Sequence, residues 1–468
     1  MRPLEIAVPT LLAVHLLWSR PRPFAVRLLP ALALALMLIH FAVEGYRWQM
    51  IPIYILTAIL GLAALIRIQS PVDLRPPASY LTLRLAQGSA LGLLAVSSAL
   101  PALLPVPAIP VPSGPYPVGT LIYELTDSSR REIYSGKDEA RRIMIQVWYP
   151  SEANTSKEKA RWMDQAEIYA PAVAHQIDMP SFFLDHLALV KVPAYKNADA
   201  AGADEKFPLI LFSHGWNGFN AQNTGQALEL ASHGFVVVGA QHTYGAVITV
   251  FEDGTIANNN PSALPDGAPQ DEYESAAHVL ADQWAGDLGF ALDFMKSQNK
   301  DSNSPFYDAM DSARVGVYGH STGGGAAIQF CGTDSRCKAL LGMDPFMRPV
   351  SYEVIGNGVT QRSFFMFSQE WADDVDSRNN ELFNKFIMHV NDSLGVVSID
   401  GAAHYDFADL PLLSPLAPQL GLKGPINGRR VTTIVNDYLL SFFDATLKNG
   451  SPDLFHNPSP YPEIKTRN

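Results

Sequence analysis

The chain opens on long apolar runs. Phe24–Val43 and Trp48–Ile66 are each long enough to cross a hydrocarbon core as helices. Leu83–Leu104 is a third such run, with Gln87 its main polar interruption, while Leu4–Trp18 is shorter and contains Pro9, so it spans or lies in the interface. The pattern predicts a transmembrane region over residues 1–105, with spans near 4–18, 24–43, 48–66 and 83–104, making a bundle of three or four helices. Apolar segments follow one another rather than giving way to a polar mature chain, so a cleavable signal peptide is not expected.

After residue 105 the pattern changes. Residues 106–118 carry Pro107, Pro110, Pro112, Pro115 and Pro117, a density that favours a semi-rigid extended spacer. Beyond it, short apolar runs alternate with helical patterns. Leu121–Leu125, Arg142–Tyr149, Phe207–Phe212, Gly234–Gly239, Ala313–Tyr318, Ala339–Met343, Ser363–Phe367 and Gly395–Ile399 read as strands. Asp271–Ser297 and Val431–Leu447 read as long helices. That alternation predicts an α/β domain over 119–468 with a mostly parallel sheet covered on both faces. Ser151–Lys206 is a long insertion. Its apolar middle, Phe182–Val190, suits a lid or acyl-chain surface on one reading and ordinary core packing on the other. Val247–Tyr273, rich in Pro, Gly and Asn, is a second lid candidate.

Charge adds an orientation. Residues 1–110 hold eight Arg, no Lys and three acids, net +5, against −12 for the whole chain, so the remainder carries −17. Arg20, Arg22 and Arg27 precede the second apolar run, and Arg67, Arg75 and Arg84 lie between the third and fourth. Arg-rich loops stay cytoplasmic, which sends everything after about residue 105 to the extracytoplasmic side of an inner membrane. Acids inside the spans are nearly absent, so the region reads as an anchor rather than a transport path. An acidic soluble part excludes a nucleic-acid partner. Cys331 and Cys337 have no companion His pair for zinc, which leaves two buried thiols or a short-loop disulfide; the extracytoplasmic placement permits the disulfide.

The chemistry centres on Gly319-His320-Ser321-Thr322-Gly323, which follows a strand pattern and precedes a small-residue helix. Strand, G-x-S-x-G, helix is the nucleophile elbow of the α/β-hydrolase fold. A serine hydroxyl needs a base, and the base an orienting acid. His404 follows the last strand, where this fold carries its histidine. Asp344 ends the strand after the elbow helix, and Asp373 and Asp374 follow the next one; strand-end position alone does not choose among them. The oxyanion donors are expected to be the backbone N–H groups of Thr322 and Trp216, the latter in the loop after Phe207–Phe212. His214, Gly215, His242 and His320 are candidates to line the pocket, His242 and His320 with structural roles as their alternatives. This chemistry needs no metal and no organic cofactor.

Trp148-Tyr-Pro150, Leu209–Gly215, Gly319–Gly324, Leu341–Asp344 and the run His404-Tyr-Asp-Phe-Ala-Asp409 resemble the platelet-activating factor acetylhydrolase family, plasma and type II, over roughly residues 120–450. The resemblance implies a Ser321–His404–Asp344 triad, because that family keeps its acid after the strand that follows the elbow. The Cys331–Cys337 loop is similar to that of bacterial members. The implied substrate is an ester, with short sn-2 acyl groups of phospholipids foremost. The implied partners are membrane lipid and, through the N-terminal helices, the bilayer; the oligomeric state is left open. Two departures stand out. The family's animal enzymes are soluble, and polyester hydrolases share W-Y-P and G-x-S-x-G-G but keep the acid after the later strand. A general carboxylesterase, an acyltransferase and a non-catalytic membrane sensor on a hydrolase scaffold are the rival readings.

Overall fold

The computed structural model describes residues 1–19, 21–69, 80–152, 157–202, 206–455 and 458–467. Arg20 and Arg75, two of the arginines behind the expected topology, lie outside the described residues. The chain forms two compact units: one of Met1–Ala108, Gln165–Val190 and Leu413–Leu416, the other of Ile109–Asp164, Lys191–Leu412 and Ala417–Asn468.

The first unit holds α1 (Pro3–Leu17), α2 (Phe24–Val43), α3 (Ile51–Gln69) and α4 (Tyr80–Leu103). Phe24–Val43, Trp48–Ile68 and Arg84–Leu103 are long and apolar enough to cross a membrane, and Pro3–Leu17 is shorter. Val8, Leu12, Met37 and Ile53 pack between the helices, while Ile55, Ile59, Leu62 and Ile66 are exposed along α3. Such a face suits lipid rather than water. Charges gather near the start of α1 and the end of α2. Arg47, fully buried, reaches Glu5 at 2.7 Å, and Glu5 also takes Arg2 at 2.8 Å. Removing one partner of such a buried pair leaves an uncompensated charge, so the set is a structural commitment of the fold.

The same unit takes up the middle of the long insertion: α5 (Ala166–Gln176) and a 3₁₀ turn, Asp185–Leu189. Phe182 packs edge-on against Trp48 with ring centres 5.2 Å apart, the Trp48 indole N–H donates to the Phe183 carbonyl at 3.2 Å, and Gln49 bonds His186 at 2.9 Å. The apolar run 182–190 therefore serves as packing in the helical unit.

The second unit is built on an eleven-stranded sheet. Its strands are β1 (Val118–Arg131), β2 (Ala140–Pro150), β3 (Lys159–Arg161), β4 (Lys191–Lys196), β5 (Phe207–Ser213), β6 (Val236–Gln241), β9 (Met310–His320), β10 (Ala339–Met343), β11 (Arg362–Ser368), β12 (Ser393–Ile399) and β13 (Ile464–Thr466). A separate hairpin, β7 (Ile248–Val250) with β8 (Ile256–Asn258), structures the stretch expected as a lid. The sheet order is β13-β12-β11-β10-β9-β5-β6-β2-β1-β4-β3. β6, β5, β9, β10, β11 and β12 run parallel; β2 and β13 join that block antiparallel.

The period of two explains how the sheet is covered. Leu209, Leu211, Val315, Val317 and Phe365 point to one face, against Leu288 and Leu292 of α7 (Gln270–Gln298), Ile328 of α8 (Thr322–Thr333) and Leu382 of α11 (Arg378–Ile387). The alternate residues Phe212, Tyr318 and Phe364 form a ring cluster on the other face with Phe443, Phe442 and Tyr438 of α12 (Gly428–Leu447). Both faces are buried, which is why these strands read as continuous apolar runs. Between these elements lie α6 (Thr224–Ser232), α9 (Tyr352–Asn357) and α10 (Gln369–Asp373). A parallel block delivers the C-terminal ends of its strands to one edge, and the chemistry collects there.

Candidate active site

β9 ends at His320 and α8 starts at Thr322, so Ser321 alone makes the turn. Its backbone sits at φ 59°, ψ −126°, a conformation that costs a non-glycine residue energy and persists only when the surroundings impose it. The surroundings do. A Cβ on Gly319 would come within 2.2 Å of the Gly323 carbonyl oxygen, and one on Gly323 within 2.1 Å of the Ser213 carbonyl oxygen. Ser321 N–H donates to Met343 O at 3.0 Å, and its carbonyl accepts from Phe346 N–H at 2.9 Å, tying the turn to the end of β10.

Asp344 and His404 meet at the same edge. His404 Nδ1 lies 3.0 Å from Asp344 Oδ2. The carboxylate also accepts the Ser368 backbone N–H on Oδ1 at 2.8 Å and the Ser368 hydroxyl on Oδ2 at 2.6 Å. Asp344 is fully buried, whereas the His404 side chain keeps 15% of its surface in solvent. Burial pushes the Asp344 carboxyl up, to about 7, and the His404 imidazole down, to about 4. The dyad thus exchanges its proton in the acid-to-neutral range, and the imidazole is a free base at neutral pH. Asp373 and Asp374 end α10 with their side chains exposed.

Around His404 stand residues the sequence reading passed over. The Trp371 indole stacks flat on the imidazole, centroids 4.3 Å apart and planes 6° from parallel. The Glu370 carboxylate accepts the His404 backbone N–H at 2.9 Å. Asp406 Oδ2 accepts the N–H groups of Ala403 and Gly424 at 2.8 and 2.7 Å, bracing the turn that carries His404. Asp409 accepts from Gly225 N–H and the Trp162 indole. The signal for Ser368, Glu370 and Trp371 was their place at the end of β11 and directly after it, the strand-end rule that had been applied only to aspartates.

Gly215 borders Ser321 closely enough that a Cβ on it would lie 3.2 Å from the Ser321 Cβ. The Gly215 carbonyl is held twice, by His214 Nδ1–H at 2.7 Å and Gly218 N–H at 2.9 Å. Because the peptide is planar and trans, fixing that carbonyl turns the Trp216 N–H to the opposite side. His214 Nε2 accepts the His242 backbone N–H at 3.1 Å. Of the four pocket candidates, Gly215 borders the serine across the loop and His320 precedes it in the chain. His214, His242 and His320 are buried, at 0%, 0% and 2% exposure, with their ring nitrogens engaged by protein groups. His320 Nε2–H donates to the His404 carbonyl at 2.9 Å.

His242 belongs to a second Ser-His-Asp set. Its Nε2 lies 2.9 Å from Ser213 Oγ and its Nδ1 3.0 Å from Asp287 Oδ2. Against the burial that raises it, Arg141 and His242 hold the Asp287 carboxyl well below its usual range. Ser213, His242 and Asp287 are all at 0% exposure, so no substrate reaches them.

Cys331, in α8, and Cys337 are disulfide-bonded, with Cα atoms 5.2 Å apart. Among the described residues, no group of three or more His, Cys, Asp or Glu is placed to hold a metal ion.

The fold has known counterparts. A solved ferulic acid esterase from Streptomyces cinnamoneus superposes with a TM-score of 0.63 over 78% of this chain and all of that one, at 22% identity, which establishes the α/β-hydrolase fold. A platelet-activating factor acetylhydrolase from Cavia porcellus is 27% identical over 361 residues, covering 72% of this chain and 78% of that protein. A probable 1-alkyl-2-acetylglycerophosphocholine esterase from Arthroderma benhamiae is 24% identical over 401 residues, covering 79% and 95%. The family model for platelet-activating factor acetylhydrolase, isoform II, matches residues 105–452, so the chain belongs to that family.

Proposed function

We propose that this ester hydrolase works through a Ser321–His404–Asp344 triad on short-chain acyl esters of phospholipids, anchored to a bilayer by its N-terminal helices. The observation that carries the reading is the 3.0 Å bond from His404 Nδ1 to buried Asp344, at the sheet edge where Ser321 is held in its strained turn. Asp344 accepts Nδ1–H and so leaves the Nε2 lone pair for the serine proton. Ser321 Oγ attacks the ester carbonyl as His404 takes that proton. The N–H groups of Trp216 and Thr322 receive the developing oxyanion. The imidazolium returns its proton to the leaving alcohol, and water activated by the same histidine releases the acid.

In this reading the sealed histidines are positioning residues. His214 fixes the peptide that aims Trp216 N–H, and the Asp287–His242–Ser213 set holds the strand end that carries His214. Trp371 supports the imidazolium through its π face. The substrate class follows the relatives, a platelet-activating factor acetylhydrolase and a probable 1-alkyl-2-acetylglycerophosphocholine esterase. The disulfide fits an oxidising, extracytoplasmic compartment. A bilayer anchor would raise the local concentration of lipid ester at the site.

The test compares wild type with Ser321→Ala in detergent, on p-nitrophenyl acetate and on a 2-acetyl phospholipid. The proposal expects wild type to cleave both and the variant neither. Cleavage of the simple ester alone would replace the phospholipid reading with a general carboxylesterase. Activity surviving in Ser321→Ala would remove the triad.

A further inference from the structure

The turn that carries His404 is held by the segment at the end of β11. Gln369 Oε1 accepts the Gly401 N–H at 2.7 Å, and Glu370 Oε2 accepts the His404 N–H at 2.9 Å. Ser368, just before them, holds the Asp344 carboxylate, and Trp371, just after, stacks on the imidazole. Four consecutive residues therefore address the acid, the backbone of the base and the ring of the base. Gln369 does its part with a neutral amide, whereas Glu370 does the same kind of work with a carboxylate. An amide oxygen would satisfy the His404 N–H equally, so hydrogen bonding alone does not call for the charge. The imidazole hangs on the Cα next to the bonded nitrogen, which puts the Glu370 carboxylate within about 7 Å of the ring by bond lengths alone. The Debye length is about 8 Å at physiological salt, so the charge is felt there although Glu370 is exposed. The other charges around the dyad have tasks of their own. His320, its ring centre 4.5 Å from that of His404, is buried and held neutral by that burial. Asp406 is engaged by the Ala403 and Gly424 N–H groups. Arg467 donates to Asn380 at 2.9 Å and lies over the Phe367 ring, and the Lys423 ammonium donates to the Gly424 and Ile426 carbonyls.

We propose that Glu370 is a second acid behind the catalytic base: it seats His404 through the backbone N–H, and its negative charge stabilises the imidazolium that forms as Ser321 attacks. The inference rests on the Ser321–His404–Asp344 reading and adds a positioning residue to it. Asp344 sets the tautomer from the buried side, at Nδ1. Glu370 bonds the backbone rather than the ring and leaves the tautomer alone. Burial lowers the His404 imidazole, and it raises the Asp344 carboxyl against the Ser368 hydrogen bonds; the Glu370 charge pushes both upward. Without that charge the dyad takes up its proton at lower pH, and a transition state that contains an imidazolium is harder to reach.

The experiment uses the full chain in detergent and follows p-nitrophenyl acetate hydrolysis across the acid-to-neutral range. It compares wild type with Glu370→Gln, Glu370→Ala and Asp374→Asn, and keeps Ser321→Ala as the reference for the triad. Glu370→Gln retains an acceptor for the His404 N–H and drops the charge. It is expected to lower kcat about 2- to 5-fold, the worth of an exposed charge pair, and to move the acid limb of kcat/KM down by about 0.2–0.7 pH unit. Glu370→Ala drops the acceptor as well, so it is expected to shift the limb at least as far and to lose more in kcat. Asp374→Asn makes the same charge change at the exposed end of the same short helix and is expected to leave the limb in place. In about 1 M salt, where the Debye length is about 3 Å, the wild-type limb is expected to fall toward that of Glu370→Gln. A Gln variant that matches wild type in both limb and kcat overturns the proposal even if Ala is damaged, because Glu370 is then only a backbone brace. A limb that moves to higher pH in Glu370→Gln, or an equal shift in Asp374→Asn, overturns it too. Should Glu370→Ala not fold, Glu370→Gln carries the test alone. Activity surviving in Ser321→Ala brings down the triad and this inference with it, whereas an inactive Ser321→Ala beside an unchanged Glu370→Gln brings down this inference alone.

Discussion

Replacing Asp344 by asparagine tests the acid assignment at one atom. The Asp344 carboxylate accepts three protons: Ser368 N–H on Oδ1, and the Ser368 hydroxyl and His404 Nδ1–H on Oδ2. An amide has one acceptor oxygen. If that oxygen keeps the Ser368 N–H, the amide nitrogen faces His404, and the imidazole must turn its Nδ1 lone pair toward it. The proton then sits on Nε2, and no base faces Ser321. Flipping the amide instead sets its N–H against the Ser368 N–H, two buried donors face to face, at a cost of about 1–3 kcal/mol. The wrong tautomer is thus locked in by Ser368. Loss of the correct tautomer in a Ser-His-Asp site costs about 10⁴ in kcat, or about 5.5 kcal/mol of transition-state stabilisation. The assay is steady-state hydrolysis of p-nitrophenyl acetate, with thermal unfolding to show that the fold survives. Asp373→Asn and Asp374→Asn, at exposed positions, are expected to stay within about twofold of wild type, as surface changes away from a site do. A tenth or more of the activity left in Asp344→Asn, or a collapse in either neighbour, refutes the reasoning.

Other expectations follow from the same geometry. His214→Asn keeps a donor within reach of the Gly215 carbonyl while His214→Gln moves it away, so Gln should lose about 100-fold in kcat, the worth of one oxyanion donor, and Asn much less; equal losses would break the link to Trp216. Trp371→Ala removes a cation–π contact worth about 0.5–2 kcal/mol, so kcat/KM should drop roughly 2- to 30-fold and its acid limb should move to lower pH. An unmoved limb would make Trp371 mere packing. Because burial raises the Asp344 carboxyl to about 7 and lowers the His404 imidazole to about 4, kcat/KM should be level above neutral pH and fall as the pair takes up a proton between those values, as one titration of the dyad. A profile flat down to pH 4 would contradict this. Burial also depresses His214, His242 and His320, the last to about 3. The unfolded chain therefore binds more protons, and stability should be lost as pH falls below about 6.5, at up to about 1.4 kcal/mol per unit per histidine. Denaturant midpoints that do not move between pH 7 and 5 would argue against these burials.

Much of this was legible in the sequence because it is local. Twenty apolar residues in a row describe a spanning helix wherever they end up, and an apolar run flanked by turn residues describes a buried strand. The elbow is local as well: Gly319, Ser321 and Gly323 are dictated by a turn that involves its own neighbours and the ends of the two adjacent strands, β5 and β10. His404 stood out as a candidate because it follows the apolar run that forms β12.

Tertiary structure decided what depends on convergence. Asp344 and His404 are 60 residues apart, and three aspartates stood at suitable strand ends. Only the register of β10 beside β11, which sets Ser368 against Asp344, shows which one meets the imidazole. Exposure was equally invisible. Ser213–His242–Asp287 brings together the residue types of a catalytic triad by hydrogen bonds, yet it is closed to solvent, a property of the packed whole. The insertion's apolar run 182–190 could not be assigned from its hydrophobicity, because burial says that a surface is covered and not by what; its cover is Trp48 and Gln49 of the helical unit. Periodicity and turn chemistry act over a few residues and are written along the chain. Pairing of charges, sealing of histidines and stacking of Trp371 on His404 are set by distances that exist only once the sheet has formed.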